Sequence, residues 1–124
     1  MKVIDQALLE KVIIERSCTS HKGDYGRLLL LGGTYPYGGA IIMAALAAVK
    51  SGAGLVTVGT DRENIPALHS HLPEAMAFSL QDQQLLKEQL EKAEIILLGP
   101  GLGDDAFGED LVKQIFAGLK RIRF

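Results

Sequence analysis

A run of four leucines followed by a glycine-rich stretch is the feature that most restricts how this chain can fold. Residues 28–31 are all leucine, and Gly-Gly-Thr-Tyr-Pro-Tyr-Gly-Gly follows at residues 32–39. An apolar run without polar alternation indicates a strand that is covered on both faces, as in a parallel sheet. Residues 40–50 are almost entirely apolar, which predicts a buried helix. A strand, a glycine turn and a helix in this order predict an α/β fold.

The rest of the chain continues this alternation of strands and helices. Strands are predicted at residues 55–58, 75–80 and 94–98, and a last helix is predicted at residues 106–119. Because strands alternate with helices, we expect a mainly parallel sheet that is flanked by helices.

Three further helical features are predicted in more detail. Apolar residues recur at helical spacing within residues 4–13 and predict an amphipathic first helix. Residues 61–71 predict a helix and a loop, interrupted by Pro66. Ser79 and Asp82 resemble a capping box for the helix that follows them.

Composition limits the classes of function. The chain has 124 residues, of which 48% are apolar and 23% are charged, as in one globular domain. A formal net charge of −2 gives no reason to expect a nucleic acid partner. No apolar run reaches the roughly 18 residues of a membrane helix, so no membrane partner is expected. Cys18 is the only cysteine, which fits a reducing compartment and predicts a cytoplasmic protein.

The last residues do not continue the alternation clearly. Another strand is expected after the last helix, and residues 120–124 (KRIRF) resemble only its beginning. Lys120, Arg121 and Arg123 are expected to close the last helix, whose C-terminus favours cations. Residues 1–124 are therefore expected to form a single domain with an incomplete sheet and an open edge.

Two glycine-rich loops are candidate ligand sites, because each follows a predicted strand and precedes a helix. In the first loop, Gly33 and Gly38 have the spacing of a phosphate-binding P-loop, but Gly39 and Ala40 replace its lysine and hydroxyl residue. The free N–H groups at the start of the helix still suit an anion such as a pyrophosphate. A tight turn with positive φ and no ligand explains the glycines equally well.

The second loop, residues 99–105, begins like a dinucleotide-binding fingerprint. Gly99 and Gly101 have that spacing, but Asp104 stands where the third glycine is required, so a Rossmann site is excluded. Asp104 or Asp105 is expected to cap the last helix. The interpretation that remains is a concavity lined by backbone, with acidic residues beside it.

Other polar residues are weaker candidates. His69 and His71 have no third ligand nearby in the sequence, so a metal site is not expected. Residues 21–24 are expected in an exposed loop, with the rim of a site as the alternative. Glu74 is expected at the surface or in an interface. The residues show no catalytic triad, carboxylate pair or cysteine–histidine cluster.

A longer pattern runs through both glycine loops. It consists of HKGDYGRLLLLGGTYPYGGAIIMAALAAVKSGAGLVTV at residues 21–58, LPEAM at residues 72–76 and GPGLG at residues 99–103. In this order the stretches resemble the N-terminal part of the ADP/ATP-dependent NAD(P)H-hydrate dehydratase family. That family begins with His-Lys-Gly, a hydrophobic strand, Gly-Gly-Ser/Thr, a Tyr-Gly/Thr-Gly-Ala turn, an Ala-rich helix and Gly-Ala-Gly-Leu-Val. The resemblance covers residues 21–119.

The resemblance implies a three-layer ribokinase-like fold and assembly as a homo-oligomer. It implies an enzyme that removes water from hydrated NADH or NADPH. The substrate hydroxyl is transiently phosphorylated by ADP or ATP and leaves as phosphate. Mg²⁺ is implied as well, because nucleotide phosphates in such sites are usually bridged by a metal ion.

The resemblance also implies the residues that contact the hydrated dinucleotide. Ala40 and Gly103 match positions of the family's substrate site, and Gly39, Gly101 and Leu102 are their neighbours. The family's Gly-Ser-Gly-Asp-type motif, whose aspartate is the expected base, is absent from the 124 residues. A substrate-contacting histidine and most of the nucleotide-phosphate site are absent too. No catalytic residue is therefore assigned, and this chain alone is expected to be inactive.

Two other classes of function stay open. One is a kinase of the same fold that acts on a vitamin precursor or a sugar, which substrate profiling would distinguish. The other is a binding or assembly module without chemistry, which a stable oligomer without dinucleotide affinity would favour.

Overall fold

The computed structural model describes residues 3–119 as a parallel four-stranded sheet with helices on both faces. The strands are β1 (Arg27–Leu31), β2 (Leu55–Thr60), β3 (Met76–Ser79) and β4 (Ile95–Leu98). The helices are α1 (Gln6–Val12), α2 (Gly38–Lys50), α3 (Asn64–His71), α4 (Gln83–Lys92) and α5 (Ala106–Gly118), with a 3₁₀ helix at Lys22–Tyr25. The predicted α/β fold is confirmed. Two predictions concern residues 120–124, which lie outside the described residues. They are the closing of the last helix by Lys120, Arg121 and Arg123, and the start of a further strand.

The central strand of the sheet is β1, in the order β3-β2-β1-β4. It pairs in parallel with β2 on one side and with β4 on the other. Leu30 lies opposite Val58 of β2 and Leu97 of β4. All carboxyl ends of the strands therefore lie at one edge of the sheet, where ligands of open α/β sheets bind.

Each face of the sheet is covered by its own helices and its own core. Leu30 belongs to the core beneath α2 and α3, and Leu29 and Leu31 belong to the core beneath α4 and α5. All three leucines are buried. Because successive residues of a strand point to opposite faces, the leucine run supplies both cores at once. The prediction of a strand covered on both faces is confirmed.

Pro66 does not interrupt its helix, so this prediction was wrong. It is the third residue of α3, within the first turn, where a backbone N–H has no partner inside the helix. Proline therefore removes no hydrogen bond there. The predicted cap of α4 is also corrected, because Asp82 rather than Ser79 is the N-cap residue and its carboxylate accepts a hydrogen bond from the Leu85 N–H at 3.0 Å.

Two helices are less buried than their apolar sequences suggest. In α2, Ile41 and Ala45 are buried, but Met43 is 67% exposed, so the helix is not buried on all sides as predicted. In α1, which the spacing of apolar residues correctly predicted, no residue is buried. No helix within residues 3–119 combines the length and apolarity that crossing a bilayer requires.

A pair of leucines that face each other in the sheet tests this arrangement. Leu30 is fully buried, whereas its register partner Leu97 is 43% exposed. Leu30→Ala is expected to lower the free energy of unfolding by about 2–5 kcal/mol, because it leaves a cavity in a closed core. Leu97→Ala is expected to cost about 1 kcal/mol or less. Urea denaturation of both variants measures the difference, and equal losses would contradict the burial of β1 at the centre of the sheet.

Candidate functional site

The two glycine loops lie side by side at the carboxyl edge of the sheet, because β1 and β4, which precede them, are neighbours. The Gly33 N–H donates to the Pro100 carbonyl oxygen at 2.8 Å. The Thr34 N–H donates to the Gly101 carbonyl oxygen at 2.9 Å. The loops therefore form one backbone-lined cradle.

The side chain of Thr34 strengthens the joint between the loops. Its hydroxyl oxygen accepts a hydrogen bond from the Gly103 N–H at 2.8 Å. The same hydroxyl donates to the Gly101 carbonyl oxygen at 3.2 Å. Thr34 is 5% exposed, so both bonds are sheltered from water. Sequence reasoning missed this role, and a single hydroxyl residue among glycines was the only local signal for it.

Backbone conformation and packing explain the glycine at position 33 without a ligand. Its φ of +68° lies in the left-handed region, which other residues rarely adopt. A Cβ there would also collide with the Ile41 side chain and approach the Thr60 hydroxyl. Its carbonyl oxygen accepts hydrogen bonds from the Thr60 hydroxyl and the Asn64 amide. The explanation that needs only a tight turn is therefore sufficient at Gly33.

Gly39 differs from the other glycines of the cradle. A Cβ at Gly101, where φ is +64°, would collide with the Tyr37 carbonyl oxygen and approach the Ala40 methyl group. A Cβ at Gly103 would lie 3.3 Å from the Thr34 hydroxyl. A Cβ at Gly39 would meet no atom within 4 Å. Packing within residues 3–119 thus does not explain why Gly39 lacks a side chain.

The N-terminus of α2 faces this open space without a side-chain cap. The helix begins at Gly38, and the N-cap residue Tyr37 forms no side-chain capping hydrogen bond. The N–H groups of Gly38, Gly39 and Ala40 lie in the first turn, where no intrahelical acceptor exists. Such N–H groups, together with the positive end of the helix dipole, attract anions.

The structure brings all five predicted contact residues to the carboxyl edge of the sheet. Gly39 and Ala40 lie in the first turn of α2, and Gly101 lies next to Ala40. Gly103 is held by Thr34. Leu102 is half-buried and packs against the core beneath α4 and α5, and its N–H donates to the Gly99 carbonyl oxygen at 2.8 Å. Their role in binding stays a prediction.

The two acidic residues of the second loop are Asp104 and Asp105. Asp105 is the N-cap residue of α5, and its carboxylate accepts a hydrogen bond from the Gly108 N–H at 2.9 Å. This confirms the predicted cap. Asp104 is exposed, and no hydrogen bond joins it to Asp105 among the described residues. Neither residue is placed as a base above the cradle.

The remaining candidates lie away from the cradle. Residues 21–24 precede β1 and therefore lie at the opposite, amino edge of the sheet. His69 Nε2 is 3.1 Å from the Ala75 carbonyl oxygen, and His71 Nδ1 is 2.9 Å from the Ala67 carbonyl oxygen. Glu74 is exposed, as expected. Over residues 3–119, no three His, Cys, Asp or Glu side chains converge as a metal site.

Comparison with known proteins identifies the family of the chain. The family model described as NAD(P)H-hydrate dehydratase matches residues 28–120, which contain both glycine loops and all of the sheet except Arg27. The chain belongs to the NAD(P)H-hydrate dehydratase family. Two similar relatives are named ADP-dependent (S)-NAD(P)H-hydrate dehydratase. The relative from Streptococcus pneumoniae is 90% identical over 98% of this chain, and that from Streptococcus thermophilus is 55% identical over 94%.

The chain spans about 42% of the length of these two relatives. Solved structures show the same proportion. A ribokinase-like superfamily protein from Enterococcus faecalis has a TM-score of 0.90 and 44% identity, over 94% of this chain and 41% of that one. An ADP/ATP-dependent NAD(P)H-hydrate dehydratase from Bacillus subtilis, co-crystallised with ATP and Mg²⁺, has a TM-score of 0.70 and 30% identity, over 93% and 40%. The fold is therefore ribokinase-like.

Two substitutions of Thr34 test the joint between the loops. Thr34→Val removes the buried hydroxyl and leaves the Gly103 N–H without its acceptor, so a loss of about 1–3 kcal/mol in unfolding free energy is expected. Thr34→Ser keeps the hydroxyl and is expected to lose about 1 kcal/mol or less. Amide hydrogen exchange should accelerate at Gly103 in the valine variant only. An unchanged exchange rate at Gly103 in the valine variant would contradict the hydrogen bond from the Gly103 N–H to the Thr34 hydroxyl.

Proposed function

We propose that residues 1–124 are the N-terminal part of an ADP/ATP-dependent NAD(P)H-hydrate dehydratase domain, and that the cradle holds its hydrated dinucleotide. The observation that carries this proposal is the open space at Gly39. There a glycine that packing does not require stands at an uncapped helix N-terminus, next to Gly101 of the second loop.

Pyrophosphate is the part of the dinucleotide that suits this position. Three N–H groups at the start of α2 can donate to its oxygen atoms, and the helix dipole favours its negative charge. The missing side chain at Gly39 and the small one at Ala40 let the phosphates approach the backbone closely. The hydrogen bonds through Thr34 hold Gly101 and Gly103 at a fixed distance from this helix. Binding therefore needs little reorganisation of the protein.

In the whole enzyme, the substrate hydroxyl accepts a phosphoryl group from ADP or ATP. The donor leaves as AMP or ADP, the carbon–oxygen bond then breaks with departure of phosphate, and loss of a proton from the neighbouring carbon restores the double bond of NADH or NADPH. The role that we propose for this chain is to bind and orient the dinucleotide. The base that takes the hydroxyl proton is not assigned within this chain, since Asp105 caps α5 and Asp104 is an exposed residue of the same loop. We therefore propose that the 124-residue chain binds substrate without turning it over.

The proposal extends to nucleotide, metal and cellular context. ADP or ATP with Mg²⁺ is the expected phosphoryl donor, which agrees with the names of the relatives and of the Bacillus subtilis structure. Residues 3–119 bring together no group of metal ligands, so no step of the reaction is assigned to a metal ion on this chain. A cytoplasmic location and a homo-oligomeric state complete the proposal.

Binding is tested by filling the open space at Gly39. A Cβ at residue 39 meets no protein atom within 4 Å and Gly39→Leu improves helix propensity, so the thermal midpoint should stay equal or rise. Its side chain would occupy the space of the phosphates, and the dissociation constant for hydrated NADH should rise at least about tenfold. Isothermal titration calorimetry measures this change.

Gly118→Leu is the matched control, because Gly118 lies on α5 with nothing within 4 Å of its Cβ position. Its affinity for hydrated NADH should equal that of the unmodified chain. Equal affinities in all three proteins would refute the cradle as the binding site. A stable oligomer that binds no dinucleotide would favour an assembly module instead.

Turnover is tested by a direct assay on the purified 124-residue chain with hydrated NADH, ADP or ATP, and Mg²⁺. The return of NADH absorbance is followed, and none is expected. Profiling with vitamin precursors and sugars, followed by the release of AMP or ADP from the phosphoryl donor, checks the kinase alternative. If NADH does reappear, the binding-only proposal fails, and Asp104→Asn and Asp105→Asn become the variants that locate the base.

A further inference from the structure

A groove beside the cradle has no part in the function proposed so far. It consists of two adjoining cavities of about 520 Å³ each, at the carboxyl ends of β2 and β3. Both cavities are lined by Arg62, Ser79 and Gln81. This size falls within the range of about 300–1,000 Å³ that is usual for small-molecule sites.

Tyr35 connects this groove to the cradle. It belongs to the first glycine loop, yet its side chain lines the groove and is 82% exposed. Its backbone N–H donates to the Asp61 carboxylate at 2.8 Å, and Asp61 directly follows β2. The aromatic ring is thus attached to a fixed backbone at the border between groove and cradle. An exposed aromatic ring on a fixed backbone is suited to stack on a flat aromatic ligand.

The other residues that line the cavity next to Tyr35 are polar and carry a net negative charge, whereas the second cavity also has apolar residues such as Ile65 and Leu85. In the cavity next to Tyr35, the carboxylates of Asp61 and Glu63 outnumber the single guanidinium of Arg62. Phosphate is disfavoured by this excess of negative charge. Hydroxyl groups are favoured, because carboxylates accept their hydrogen bonds and the Gln81 amide both donates and accepts. The groove therefore suits an aromatic ring joined to a sugar.

We propose that the groove holds one nucleoside of the dinucleotide, with its base on the Tyr35 ring and its ribose hydroxyls bonded to Asp61 and Gln81. This inference rests on the proposed function, which places the pyrophosphate at the N-terminus of α2. A dinucleotide carries a nucleoside on each side of its pyrophosphate. One of them then extends from the cradle across Tyr35 toward the ends of β2 and β3.

The experiment is chemical-shift mapping of the 124-residue chain by ¹⁵N NMR, with AMP, reduced nicotinamide mononucleotide and hydrated NADH as ligands. The backbone amides of Tyr35 and Gln81 are expected to shift with hydrated NADH and with one of the two mononucleotides. That mononucleotide identifies the end of the dinucleotide that occupies the groove. Tyr35→Ala is expected to weaken its binding about tenfold, within the range measured for stacking of a base on an aromatic ring.

Matched controls separate the groove from general surface effects. Gln81→Ala is expected to weaken binding about fivefold, the loss typical of one hydrogen bond. Gln84→Ala and Phe116→Ala change an exposed glutamine of α4 and an exposed aromatic residue of α5, and neither lines the groove. Both control variants should bind as the unmodified chain does. Since all four side chains are exposed, the variants are expected to fold.

The possible outcomes separate this inference from the proposed function. Dinucleotide-induced shifts at Gly39 and Gly101 that Tyr35→Ala leaves unchanged would support the cradle and overturn the groove. Mononucleotide shifts at Tyr35 and Gln81, without dinucleotide shifts at Gly39, would support the groove and overturn the cradle. Absence of shifts at Tyr35 and Gln81 with every ligand overturns the inference.

Discussion

Backbone hydrogen bonding along both sides of β1 is the interaction on which the rest of the structure depends. It continues past the end of the strand, since the Gly32 N–H donates to the Gly59 carbonyl oxygen and the Gly99 N–H donates to the Leu31 carbonyl oxygen. The contact between Gly33 and Pro100 is the next bond in the same direction. The spacing of the sheet is thereby imposed on the two loops, and the cradle is as rigid as the strands that carry it.

Sequence reasoning succeeded where a structure depends on near neighbours. The leucine run predicted the strand β1, and a cap at Asp104 or Asp105 was expected, because both follow from adjacent residues. It failed at Pro66, where one position within a helical turn decides the effect of proline. The exposure of Met43 depends on which elements pack beside α2, and the bonds of Thr34 reach residues that are 67 and 69 positions away. Periodicity carries no information about such partners.

The cradle lies where the two cores of the protein meet. Ile41, beside Gly33, belongs to the core beneath α2 and α3, and Leu102 packs against the core beneath α4 and α5. Close packing in a core resists small displacements. Each glycine loop of the cradle is therefore anchored in a different core, while the hydrogen bonds of Thr34 join the two loops. The binding proposed for the cradle requires this arrangement, since a backbone-lined site binds well only if its backbone is held in place.

The contrast between Gly39 and its fellow glycines separates two kinds of natural selection. Mutations at Gly33 or Gly101 disturb the fold, so cellular quality control would remove them whatever the protein binds. A mutation at Gly39 leaves the packing intact and would pass that filter. If selection for the proposed binding were relaxed, Gly39 would be expected to vary first. The residue found at this position in a relative would then indicate whether the proposed binding is still under selection.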